Sequence, residues 1–312
     1  MKIKNGLRRT FRAISPRRRA RTQLNNYLIR EKNLFSRVPE LKTRFGSPES
    51  EEFHEFIETE AIFFYREIQE AAIPFPSSSE MVNISGETDL RSFVYVGYDC
   101  YRLIRTNLPD NFPLPGRILD FGVGCGRTMR FFYRDMDQFN SFGCDVDQNA
   151  IRYLKKNVPF IQARVNKNLP PLPYSMGYFQ LVYSISVFTH LNLPAFQTWL
   201  VEIHRILDSR GIFQLTLHGD IAIRSVHTDK DLRTRIGLSE GILSNQENRL
   251  NNGFLWMQQP VGSKDIDSSQ FGITFIQKDF FEELIQPFFT IVNYQEGAVS
   301  GWQDFVTLRK KI

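Results

Sequence analysis

The 312-residue sequence predicts an α/β fold, an open doubly wound sheet of mostly parallel strands. Two observations carry the prediction. The first is the stretch Ile118–Phe132, an apolar run that passes through Gly122, Gly124 and Gly126 into a helix-like segment beginning at Arg127. Strand, glycine turn, helix is how such sheets present backbone N–H groups to a ligand. The second is a series of short apolar runs at Phe139–Asp147, Phe160–Asn166, Phe179–Leu191 and Ile212–His218, interleaved with helical periodicity. That alternation is the mark of a parallel sheet covered on both faces. With 42% hydrophobic and 23% charged residues, the composition is that of a soluble globular protein. No apolar run is long enough to span a bilayer.

Taken in order, the chain opens with a basic block. Lys2, Lys4, Arg8, Arg9, Arg12, Arg17, Arg18, Arg19 and Arg21 all precede the first acid, Glu31. No apolar segment or cleavage site follows, so the block does not read as a secretory signal. Three readings stay open: a solvated tail, peripheral contact with an anionic membrane, and nucleic acid. The absence of a recognisable nucleic-acid module argues against the third. Pro16 interrupts the run and weakens any single amphipathic helix.

Residues Ser50–Ala72 then read as one helix. Ser50 caps it, Glu51 and Glu52 sit at its positive end, and Phe53, Phe56, Ile57, Phe64 and Ile68 share a face. Pro74–Ser79 reads as a linker. The expected division is therefore a basic tail and helical extension over 1–89 and an α/β domain over 90–312. On this reading, removal of residues 1–45 leaves ligand binding nearly unchanged. The aromatic stretch Leu90–Leu108 packs a helix on the sheet or closes over a ligand.

The glycine spacing narrows the ligand. A dinucleotide fingerprint is G-x-G-x-x-G, whereas here Asp120 leads Asp-x-Gly-x-Gly-x-Gly. This disfavours a nicotinamide dehydrogenase. The second strand ends in Gly143-Cys144-Asp145-Val146-Asp147, about 20 residues beyond the glycines, where an acid can hold both ribose hydroxyls. Asp145 is the candidate for that role and Asp147 for the cap of the next helix, and capping alone is the alternative for both.

With these two motifs the sequence resembles the class I S-adenosylmethionine-dependent methyltransferases, and within them uncharacterised bacterial small-molecule methyltransferases. The resemblance runs from about Leu90 to the C-terminus. It implies a Rossmann-like methyltransferase sheet with S-adenosyl-L-methionine as cofactor. In that family the glycine loop, here Gly122, Gly124 and Gly126, lies against the methionine half, and the leading acid, Asp120, helps hold the amino group. Many relatives place an Asp after strand three to accept from the adenine amino group. Asn166 or Asn168 stands here, and an amide oxygen can accept the same bond. The strand-four run resembles the family's fourth motif, with Gln180 where Asp is common and Ser184 joining the cofactor residues.

A helix opened by Asn192 and Pro194 and ended by Gly211 follows. After strand five, residues 219–272 break the rhythm and read as an insertion at the carboxyl ends of the strands, either a substrate lid or a long surface excursion. Phe280–Ile285, Phe288–Tyr294 and Gln303–Leu308 read as a helix and two terminal strands, like the family's closing antiparallel hairpin.

Methyl transfer needs alignment more than acid–base power. A hydroxyl acceptor benefits from a general base, for which His190 and His218 are the candidates at the strand ends. Each can instead be a structural histidine satisfied by backbone. The Glu-x-x-Glu-His of a metal-using quinone O-methyltransferase group is missing at Ser186–His190, so no metal is expected. The acceptor class implied is a small molecule, or a saccharide or lipid-linked group, methylated at oxygen. The alternative is a non-catalytic cofactor-binding protein acting through a partner or a membrane surface. Cys100, Cys125 and Cys144 lack C-x-x-C spacing and suit a reducing, cytoplasmic setting. No pattern in the chain sets an oligomeric state.

Overall fold

A computed structural model of the chain describes residues 15–85, 89–238, 252–261 and 263–312. Among them the main strands are β1 (Gly116–Phe121), β2 (Phe139–Asp145), β3 (Gln162–Val165), β4 (Phe179–Ser184) and β5 (Leu207–Leu217). An inserted hairpin follows, β6 (Phe254–Gln258) and β7 (Gly272–Ile276), and then β8 (Phe289–Val299) and β9 (Gln303–Lys310). Seven strands form one sheet in the order β3-β2-β1-β4-β5-β9-β8, and β6 and β7 pair separately. The first five run parallel, and β9 lies antiparallel between β5 and β8. The chain steps outward from β1 to β3 and then returns to β4. That reversal opens a crevice at the carboxyl ends of β1 and β4, where open α/β sheets bind ligands.

Strand periodicity divides the two faces. Ile118, Leu181 and Ile212 enter one core, and their neighbours Leu119, Val182 and Phe213 enter the other. The second core is closed by α9 (Leu193–Ile206) and by the helix Lys278–Ile285. Asn192 caps α9, its Oδ1 accepting from Ala195 N. The helix ends at Ile206 rather than at Gly211, which lies within β5. Asp208 there accepts from Arg210 N and from Gln180 Nε2, tying the turn to the strands.

The first core contains α7 (Leu90–Thr106) and, contrary to the linker expectation, the N-terminal extension. Helix α1 (Pro16–Arg37) buries Ala20, Tyr27 and Leu34 in the same cluster as Ile118 and Met129. Arg17 donates to Asn140 Oδ1 at 2.9 Å and to the Met136 carbonyl at 3.2 Å. Arg134 pairs with Glu31 of α1 and, at 2.7 Å, with Glu58. Pro74 does not run free either, since its carbonyl accepts from Tyr153 Oη and Arg130. The extension is thus a buttress, with its apolar face buried against this core. Lys2, Lys4, Arg8, Arg9 and Arg12 lie outside the described residues.

Two local forms differ from expectation. The 50–72 helix is divided into Glu51–Phe56, a π turn over Ile57–Ala61, Ile62–Phe64 and Arg66–Ala71. The π turn inserts Glu58 into the Arg134 pair, a local use such bulges often serve. The segment after the glycines is a 3₁₀ helix, Met129–Tyr133, not an α-helix. All five of its residues are buried, so it is enclosed on every side rather than along one amphipathic stripe.

The 219–272 insertion begins with α10 (Asp220–Thr228) and α11 (Lys230–Arg235) and returns through β6 and β7. Residues 239–251 and 262 of it lie outside the described residues. β7 runs over the exits of β4 and β5. Gly272 N donates to the His190 carbonyl and Thr274 N to that of Thr189, each at 2.8 Å, and Ile276 N donates to that of His218 at 3.0 Å.

Candidate active site

The site is built on the turn after β1. Gly122 and Val123 donate to the Cys144 carbonyl, which clamps the turn over the end of β2. Gly122 has φ +85°, and a Cβ there would lie 2.2 Å from Val187 Cγ2. Only glycine satisfies both conditions. Gly126 instead faces α8 (Gln148–Asn157), where a Cβ would meet Leu154. Gly124 N donates to Asp145 Oδ2 at 2.7 Å, and Asp147 N donates to Oδ1 at 2.8 Å. Asp147 in turn caps α8, accepting from Asn149 N and Ala150 N.

These strand exits enclose a cavity. Asp120, Gly122, Gly124 and Arg127 line it from the glycine turn, Asp145 and Asp147 from β2, and Asn166 and Asn168 from β3. Ser186, Val187, His190 and Leu191 contribute from the β4 exit. Ile266, Asp267, Gln270 and Phe271 come from the insertion. Three residues expected at the site are not on its wall. Ser184 is fully buried and donates to the Phe121 carbonyl. Gly126 packs against α8 as above. His218 is buried between Phe275 and Trp302. The α7 aromatics pack as well, Tyr98 edge-on against Phe131, and Gly97 lies directly on the Arg127 carbonyl.

Burial shapes the electrostatics. It pushes the Asp120 carboxyl up to about 8, with nearby Asp145 adding to the rise and the Tyr183 hydroxyl opposing it. Asp145 is also raised by burial, against the pull of the Asp147 and Gly124 N–H donors. His190 is lowered by burial. Its Nδ1 lies 2.7 Å from the Gly272 carbonyl, and its ring stacks on Phe271. A carbonyl only accepts, so Nδ1 carries the hydrogen and Nε2 keeps the lone pair. His218 Nδ1 is likewise 3.0 Å from the Thr274 carbonyl, and burial lowers this histidine to about 3.

Several wall residues carry no sequence signal beyond position. Ser186 has φ +59°, uncommon for a residue with a side chain. Its N–H donates to Thr216 Oγ1 at 2.8 Å and its hydroxyl to Gln303 Oε1 at 3.0 Å. Such strain concentrates at functional sites where the surroundings enforce it. Arg127 follows the last glycine of the motif, and that adjacency could have flagged it. Gln270 is brought in by the insertion alone.

The cavity suits a nucleoside with an amino-acid tail. Gly122 and Gly124 present backbone without a side chain on its wall. Asn166 Oδ1 is buried without a hydrogen-bond partner, while its Nδ2 donates to the Lys167 carbonyl. An orphaned acceptor on the wall calls for a donor from the ligand.

Residues 118–211 match the methyltransferase domain family. No protein of curated function matches the chain in sequence. Among solved structures, a Methanosarcina mazei S-adenosylmethionine-dependent methyltransferase is similar at 17% identity. The similarity covers 67% of this chain and 97% of that one, with TM-score 0.47. The Burkholderia thailandensis 1,6-didemethyltoxoflavin-N1-methyltransferase, solved with bound 1,6-didemethyltoxoflavin and S-adenosylhomocysteine, is 14% identical over 75% of this chain and 85% of its own, with TM-score 0.48. Residues 118–211 thus carry a methyltransferase-family domain, and they include the glycine turn and the β2, β3 and β4 exits that line the cavity.

Proposed function

We propose that the enzyme methylates a hydroxyl on a small-molecule, saccharide or lipid-linked acceptor, with His190 as general base. The observation that carries this reading is the fixed tautomer of His190 on the cavity wall. Its lowered pKa keeps the ring neutral near physiological pH, so Nε2 is able to take a proton. His218 lies behind the wall and resists protonation, which favours His190 over it.

S-adenosylmethionine supplies an electrophilic methyl group on a sulfonium with a good leaving group. The residues of the chain bind and align. Asp120 faces the amino group and Gly122 and Gly124 receive the methionine half. Arg127 makes no hydrogen bond or ion pair among the described residues, and it suits the carboxylate. Asp145 takes the ribose and Asn166 the adenine amino group. Val187, Leu191 and Phe271 keep water from the reacting atoms. No step in this reading calls for a metal.

Around the site we place a cytoplasmic enzyme, consistent with three buried, unpaired cysteines. No described helix is long and apolar enough to cross a membrane. Contact with anionic lipid through the basic N-terminus remains part of the proposal. The test is a screen of cell extracts with methyl-labelled cofactor. Labelled product that resists mild base and vanishes in His190→Ala supports an ether-forming enzyme, whereas label on nitrogen or carboxylate removes the oxygen assignment.

A further inference from the structure

Gln270 is an unexplained group on the cavity wall. Its Nε2 donates to Asp267 Oδ2 at 3.1 Å. A carboxylate only accepts, so this bond fixes the amide and turns Oε1 away from Asp267. That oxygen is buried and has no hydrogen-bond partner. Asn166 is arranged the same way, with its amide nitrogen committed to a carbonyl and its oxygen left bare. Two buried amide oxygens on one cavity, each with its orientation fixed by its own nitrogen, call for N–H or O–H donors from the ligand.

The insertion also decides where along the ligand Gln270 acts. Asp265 accepts from Gln148 N at 3.1 Å, at the start of the helix that Asp147 caps. The Asp265 carbonyl accepts from Asn168 Nδ2, and Asp267 N donates to Asn168 Oδ1, both at 3.0 Å. Asp265 and Asp267 are therefore sewn to the β2 and β3 exits, on the ribose and adenine side of the proposed cofactor site; the Ser269 and Gln270 carbonyls accept from Asn192 beyond β4, and the Gln270 side chain reaches back to Asp267.

We propose that Gln270 is a second recognition residue for the adenine base. Its Oε1 and Asn166 Oδ1 accept from the exocyclic amino group, which has two N–H bonds to give. The inserted segment thus completes the cofactor site and selects an amino purine over an oxo purine. An oxo purine would set a carbonyl against two buried carbonyl oxygens and leave both unpaired. The inference rests on the cofactor reading above.

The test is calorimetric binding of S-adenosylhomocysteine and of its deaminated analogue, S-inosylhomocysteine. Wild type, Gln270→Met and Gln270→Ala are compared, with thermal melts to show that each variant is folded. Wild type should bind the inosyl ligand about 100-fold more weakly, roughly tenfold for each lost bond. Both variants should lose about tenfold for the adenosyl ligand and stay within about twofold for the inosyl ligand. Unchanged adenosyl affinity in both variants would overturn the inference and leave the cofactor reading standing. Equal losses for both ligands would overturn it too, since they would place Gln270 on the ribose or on shape alone. If wild type binds neither ligand, the cofactor reading falls and takes this inference with it.

Discussion

Asp145 and Gly124 are joined across the two strand exits, the carboxylate Oδ2 accepting the glycine N–H at 2.7 Å. The acid after β2 thus holds the turn after β1 in shape as well as facing the cavity. Asp145→Ala should weaken S-adenosylhomocysteine binding by roughly 1.5–3 kcal/mol, the scale of hydrogen bonds to a charged group. It should also lower the melting temperature, because Gly124 N and Asp147 N lose their acceptor. Calorimetry and thermal melts read the two effects separately. Normal affinity with a lowered melting temperature would move the ribose to Asp147.

Asp120 should make the ligand-free protein less stable as pH rises. Its carboxyl is raised from 3.8 to about 8 by burial. Between those values the folded chain holds a proton that the unfolded chain has released, so stability falls across that window. Asp120→Asn should flatten the melting temperature between pH 5 and 8 while weakening cofactor binding. A wild-type profile with no such fall would show that Asp120 is ionised in the ligand-free site.

His218 should act in the opposite direction at low pH. Burial lowers it from 6.5 to about 3, so below 6.5 the unfolded chain binds a proton that the folded chain refuses. Stability should be complete above 6.5 and decline as pH drops toward 3. His218→Gln should blunt that acid dependence, measured by urea unfolding at stepped pH. An identical slope in the variant would assign the acid sensitivity to carboxylates.

His190→Ala should lower turnover by roughly 10²–10⁴-fold with little change in cofactor affinity. His190→Gln should not restore it, since glutamine cannot take the proton. Full activity in both variants would mean that alignment suffices or that the acceptor is already a good nucleophile.

Removing residues 1–45 should destabilise the protein strongly. It takes Ala20, Tyr27, Leu34, Phe35 and Leu41 from the core and strips Arg134 of its Glu31 partner. Removing residues 1–14 alone leaves each of these contacts in place. If the basic tail meets lipid, the shorter deletion should release the protein from anionic vesicles at low salt. Equal vesicle binding by both forms would remove the tail from that role.

What the sequence by itself determined about this protein is what neighbours along the chain decide. The glycine turn with its leading Asp120, the Asp147 and Asn192 caps and the alternating β1, β4 and β5 residues each depend on contacts within a few positions or on a period of two. Their patterns therefore survive in one dimension. Tertiary structure alone decided the partners that meet across long separations. Ser186 meets Gln303 across 117 residues, and Arg134 meets Glu31 across 103. Which histidine reaches the wall, and that Gln270 reaches it at all, followed from where the insertion crosses the strand exits. Neither is encoded in spacing, because burial and pairing there are set by surfaces that exist only once the sheet has formed.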